Sequence, residues 1–239
     1  MSAIYKKEMI TYFHTLPCYI FMSAFLLCGG LLFSSHNIIG QSTDLKPVWN
    51  GLLYITLLAM PVLTMRLIAA ERADKTDVLL FTVPVPSWKI TAAKFFSALT
   101  VFTVTICFSL LYPLILFMLG EPWWAQILNG YFGVFLLGML AVSIGLFMSA
   151  LMKRSFAAGL STLGVMLFIM LINTVIPLIG NSLIGTVMLR AAPLSNAAYF
   201  INGFISIPSI VYFLSVTALF LFLTTRMLEH AKWSKGRRS

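Results

Sequence analysis

The residues of this 239-residue chain whose types suit nucleophilic or metal chemistry are few: His14, His36, His230, three cysteines, and Ser161 in the run Gly159-Leu-Ser161-Thr-Leu-Gly164. A serine nucleophile needs a base beside it and an acid to orient that base. The three histidines fall at the edges of apolar runs or in a tail, so none shares the depth of Ser161, and the serine reads as an ordinary helix residue. Cys18, Cys28 and Cys107 lie inside apolar runs without Cys-x-x-Cys spacing, which argues for buried thiols and against a disulfide framework or zinc site. No Gly-x-x-x-x-Gly-Lys-Ser/Thr run exists to cradle phosphates, so the chain is not expected to hydrolyse ATP itself. It reads as a non-enzyme that binds no cofactor and no metal. Asn173 and Thr174 could coordinate Na⁺, but such neutral groups in apolar helices usually hydrogen-bond a neighbouring helix. Ion-coupled carriers generally need an ionisable group at mid-bilayer, and no apolar run has a central acid.

These residues are carried on apolar segments. Of the chain, 60% is hydrophobic and only 10% charged, whereas a soluble domain is near 25% charged. Long uncharged runs separated by short charge clusters predict an all-α integral membrane protein, a single transmembrane domain over residues 1–239. Lys6 and Lys7 before an apolar run imitate a signal peptide, yet residues 16–33 form 18 uncharged positions with no small-residue cleavage site after them. Six spans are expected, at about 16–35, 48–70, 92–119, 126–151, 156–177 and 207–228. Residues 2–14 set Ile4, Tyr5, Met9, Tyr12 and Phe13 against Lys6, Lys7 and Glu8, the pattern of a helix lying flat at the headgroups. Residues 155–189 and 191–225 are two uncharged stretches of 35, too long for a core of about 30 Å at 1.5 Å per residue. Pro177, Gly180, Pro193, Gly203 and Pro208 supply breaks, predicting short helices over 178–206 that dip into the outer leaflet.

Orientation follows from the basic residues. With both termini cytoplasmic, Lys46 and Arg190 alone among the 16 Lys and Arg fall outside. The net charge of +9 then faces anionic lipid, with Lys232, Lys235, Arg237 and Arg238 in the tail, and nucleic acid is not expected as a partner. Arg66 near the inner end of span two can snorkel to the headgroups. Trp123 and Trp124 suit the outer aromatic belt, and Gly138, Ala141, Gly145 and Ser149 form a small-residue stripe for close helix packing.

One polar loop is substantial. Glu71, Arg72, Asp74, Lys75 and Asp77 lead into Val78, Leu79, Leu80 and Phe81, and Pro84 ends the run. Apolar side chains presented outside the membrane suit either a docking protein or the inner leaflet. The stretch Pro61-Val-Leu-Thr-Met-Arg-Leu-Ile-Ala-Ala-Glu-Arg72, then Lys75-Thr-Asp-Val-Leu-Leu-Phe-Thr-Val-Pro84 and Trp88-Lys-Ile-Thr-Ala-Ala-Lys94-Phe, resembles the permease subunits of type-2 ABC exporters. It looks most like the gliding-motility and nitrous-oxide-reductase-maturation branch of those permeases.

That resemblance implies that residues 71–80 form a coupling helix seated in a separate ATPase subunit, with the N-terminal interfacial helix beside it. Glu71, Arg72, Thr76, Leu79, Leu80 and Pro84 match the family pattern, while Lys75 stands where Gly is common. It further implies two ATPase subunits carrying ATP and Mg²⁺, a second permease copy or paralogue, and surrounding membrane lipids. It leaves room for an accessory extracytoplasmic subunit. The substrate pathway would lie at the dimer seam, lined by spans two and five with Met60, Asn173, Pro177 and Phe204, in the cytoplasmic (inner) membrane of a prokaryote. Phe, Met and Leu dominate there, which mildly favours an amphipathic or lipid-like cargo. The rival is an ATP-independent carrier or a structural subunit of a membrane complex.

Overall fold

The computed structural model describes residues 2–73, 86–117, 123–175 and 191–236. Thr76, Leu79, Leu80 and Pro84 of the expected coupling helix, Glu121 in the connection after span three, and Pro177 with the first half of the broken segment lie outside them. The described residues form helices and no strand: α1 (Ser2–Phe13), α2 (Leu16–Phe33) continued by a π turn (Ser34–Ile39), α3 (Lys46–Thr64), α4 (Ala69–Ala73), α5 (Ser87–Ser109), α6 (Leu111–Phe117), α7 (Trp124–Leu151), α8 (Ser155–Val175), α9 (Pro193–Ile201) and α10 (Ile207–Gly236). Six segments are long and apolar enough to cross a membrane: α2 with its π turn, α3 with α4, α5 with α6, α7, α8, and α10 as far as His230.

The centre is α7. Of its most apolar window 78% is buried, against 17% for α8, and α3, α5, α8, α9 and α10 all pack on it. Its small residues allow this. A Cβ on Gly138 would overlap the Phe102 ring of α5, and one on Gly145 would overlap Thr64 of α3, so both neighbours reach the α7 backbone itself. The expected stripe is the contact surface of the bundle.

Two spans expected as continuous are broken. Span two stops at Thr64 and restarts at Ala69, and within the break Leu67 N turns back only as far as Thr64 O. Span three begins at Ser87, five residues before its expected start at 92, with Pro86 in extended conformation as its cap. It turns at Leu110, since Pro113 cannot donate to Ser109 O, and the Tyr131 hydroxyl donates to that carbonyl at 2.8 Å instead. Likewise span one carries a π turn through His36, beyond the expected end at 35, and α10 continues as helix past 228.

Two further expectations are corrected. Only Cys18 is buried within the chain, whereas Cys28 and Cys107 are exposed on the apolar outer faces of their helices. Glu8 does not join Lys6 and Lys7 on the outward face of α1: it and Tyr12 turn into the bundle, while Ile10 and Phe13 point out. The cause is a partner 86 residues away, described next. Arg66, Trp123 and Trp124 are exposed, as boundary residues should be.

Candidate functional site

Two turns into α5, between Ala93 and Phe95, Lys94 is 1% exposed. A buried ammonium costs several kcal/mol unless each of its protons finds an acceptor. Lys94 Nζ has three donors and three partners: Glu8 Oε1 of α1 at 2.8 Å, Glu71 Oε2 of α4 at 3.0 Å, and Leu67 O in the break of span two at 2.7 Å. One cation thus ties together three separate segments. Its arm from α5 is fixed by burial, so both carboxylates must come to it.

The break at 65–68 draws in other elements as well, because an interrupted helix exposes backbone groups that the apolar surroundings cannot satisfy. Ser149 Oγ of α7 accepts from Ile68 N and Ala69 N, both at 3.0 Å. The serine does for α4 what an N-cap residue normally does, but from another helix. The Arg72 guanidinium donates to Ala150 O at the end of α7, where the last carbonyls of a helix lack internal partners. The Tyr12 hydroxyl donates to Leu63 O at 3.4 Å. Burial above all, then Glu8 and Cys18 nearby, push the Tyr12 phenol well above its ordinary value, so it remains a neutral donor. Tyr5 Oη and Thr100 Oγ1, 2.8 Å apart, pin the start of α1 to α5.

Among the described residues, buried polar contacts join α1, α4, α5 and α7 at this node, so the geometry couples the positions of these helices. Residues 74–85 connect α4, whose Glu71 pairs with Lys94, to α5, which carries Lys94. Displacing α4 therefore acts on α1 through Lys94, and on α7 through Ser149 and Arg72.

Of the expected coupling residues, Glu71 and Arg72 stand in this node. Of the expected pathway residues, Met60, Asn173 and Phe204 are among the described residues. Met60 is fully buried in α3, and Phe204 is 69% exposed after α9. Asn173 of α8 accepts from Ser195 Oγ of α9 at 2.7 Å, the helix-to-helix bond expected of it, beside a cavity of about 290 Å³ that also meets Asn50 and Tyr54. Neither Met60 nor Phe204 lines that cavity. Ser161 lies within unbroken α8 and donates to Ala158 O, so its run is not a strained nucleophile turn.

Sequence reasoning missed Glu8, Lys94 and Ser149 as a set. The available signal was a lysine two turns inside an apolar helix, a placement tolerated only with a partner. The chain was compared with protein-family models and with curated proteins, and neither comparison finds a match.

Proposed function

We propose that this chain is the transmembrane subunit of an ATP-driven exporter, taking mechanical work from a separate ATPase through the loop between spans two and three. The observation that carries this reading is the Lys94 node: both ends of the loop, and the N-terminal helix, meet at one buried cation. A loop that merely connected two spans would not need a buried triple contact at its base, since a buried ion pair is a poor way to gain stability compared with apolar packing. It is a good way to make three segments move together. The resemblance of residues 61–95 to type-2 ABC permeases supports the same reading, with Glu71 through Leu80 as the coupling helix on the cytoplasmic side. The least buried span, α8, packs on α3, and these two helices form the face assigned to a second copy, with the cargo pathway at that seam.

The test is functional. With the partner ATPase present, the double substitution Leu79→Asp, Leu80→Asp is expected to leave membrane insertion intact and to abolish substrate-stimulated ATP hydrolysis, because charge in a docking helix removes its apolar contact. Normal co-purification with a P-loop ATPase and normal stimulation in that variant would refute the proposal. Transport by this chain alone in liposomes, driven by an ion gradient, would instead establish the carrier reading.

A further inference from the structure

Beside the node lies a half-open cavity of about 180 Å³ between α1 and the broken part of span two. Its lining carries charges of both signs: Lys7, Arg66 and Lys94 against Glu8 and Glu71, with Lys94 already paired to both carboxylates. Lys7 and Arg66 line it as exposed cations, and neither has an ion-pair partner among the described residues. Glu8 lines it as well; its Oε1 holds Lys94, while no hydrogen bond reaches Oε2 among the described residues. Thr11 adds a hydroxyl whose proton goes to Lys7 O, leaving the oxygen's lone pairs as acceptors. The last lining residue of the connection, Thr15, directly precedes α2, whose first outward residues Leu16 and Ile20 are 76% and 53% exposed and apolar. The cavity therefore sits at the base of the first membrane-crossing helix, at the depth of headgroups if that helix spans.

We propose that this cavity binds the headgroup of a phospholipid bearing a primary amine, the phosphate lying on Lys7 and Arg66 and the ammonium on Glu8. Arginine and lysine are the usual phosphate partners, and charge-assisted contacts are the strong ones. An anionic headgroup without an amine would satisfy the two cations and leave the Glu8 oxygen facing negative charge. A quaternary ammonium would match the charge but has no N–H to donate to Oε2. A primary ammonium satisfies both ends, and the acyl chains continue along the apolar outer face of α2. The site needs only a bilayer around the spans, so it stands or falls separately from the ATPase reading. It also gives α1 a reason to be where it is: lipid occupancy would brace α1 against span two from outside, as Lys94 does from within.

Native mass spectrometry of the full chain in detergent doped with ethanolamine, choline or glycerol phospholipids of identical acyl chains tests this. The ethanolamine lipid is expected to be retained about tenfold more than the other two, a factor equivalent to one good charge-assisted contact. Lys7→Gln with Arg66→Gln, both on exposed residues outside the buried node, should reduce retention of the ethanolamine lipid about tenfold. Glu8→Gln should erase the preference for ethanolamine over choline while leaving the phosphate contacts. Equal retention of all three lipids, or full retention by the Lys7, Arg66 variant, would overturn the proposal. Binding of soluble phosphoethanolamine as tight as that of the lipid would overturn the lipid assignment in favour of a free zwitterion.

Discussion

Lys94→Ala is expected to destabilise the protein by about 3–5 kcal/mol, the usual loss when one partner of a buried ion pair is removed. Glu8 and Glu71 would be left facing each other with little water to screen them, and Leu67 O would lose its donor inside the break of span two. The alternative explanation, that any smaller side chain creates a void, is separated by a second variant. Lys94→Met with Glu8→Gln and Glu71→Gln keeps the volume and removes the charges together, and such concerted replacement is often neutral or stabilising. Thermal unfolding in detergent should therefore show a deep loss for Lys94→Ala and recovery of most of it in the triple variant. If Lys94→Ala unfolds at the wild-type temperature, the node contributes nothing. If the triple variant is stable yet inactive in transport, the charges serve motion rather than folding, which is the role proposed for them.

The second large effect is expected at Ser149. Ser149→Ala removes the single acceptor of two backbone donors, Ile68 N and Ala69 N. Each buried group left unpaired costs about 1–3 kcal/mol, and α4 has only five residues with which to compensate. Ser149→Thr keeps the oxygen and should retain most of the stability. Because the damage is local, hydrogen exchange reports it directly: amides 68 and 69 should exchange faster in Ser149→Ala, while those in the middle of α7 keep their protection. Unchanged exchange at 68 and 69 would show that the serine hydroxyl does not hold the break.

The contrast between these two sites shows what could be read from the residues alone. Six spans were legible because bilayer-length apolar runs carry their own signal, and the stripe at Gly138 and Gly145 was legible because small residues at helical spacing have one common use. The break in span two was not. Where the helix restarts depends on Ser149, 80 residues away from Ala69 in sequence. The pairing of Glu8 with Lys94 was hidden for the same reason: Glu8 follows Lys6 and Lys7 and reads locally as a third charge on a solvated face. Its inward turn is decided by an ammonium on α5, and no periodicity in α1 records that. Ser149 illustrates the opposite error, a residue correctly placed on a packing stripe whose hydroxyl has a more specific task than its size.

Within the node, Glu71 and Arg72 are fastened to different partners. Glu71 points back to Lys94, and Arg72 points to the end of α7. Adjacent helical residues face different directions, so one short helix can be fastened to two partners at once. A rotation of α4 cannot then satisfy one contact without straining the other, which is the property required of a part that passes displacement onward.

The most direct measurement places a photo-crosslinking side chain at Leu79, and separately at Leu80, in the full-length protein in its native membrane. The account predicts a crosslink to a soluble subunit that binds and hydrolyses ATP, with a yield that changes when nucleotide is added. Crosslinks to phospholipid alone, in membranes where the protein is active, would contradict it.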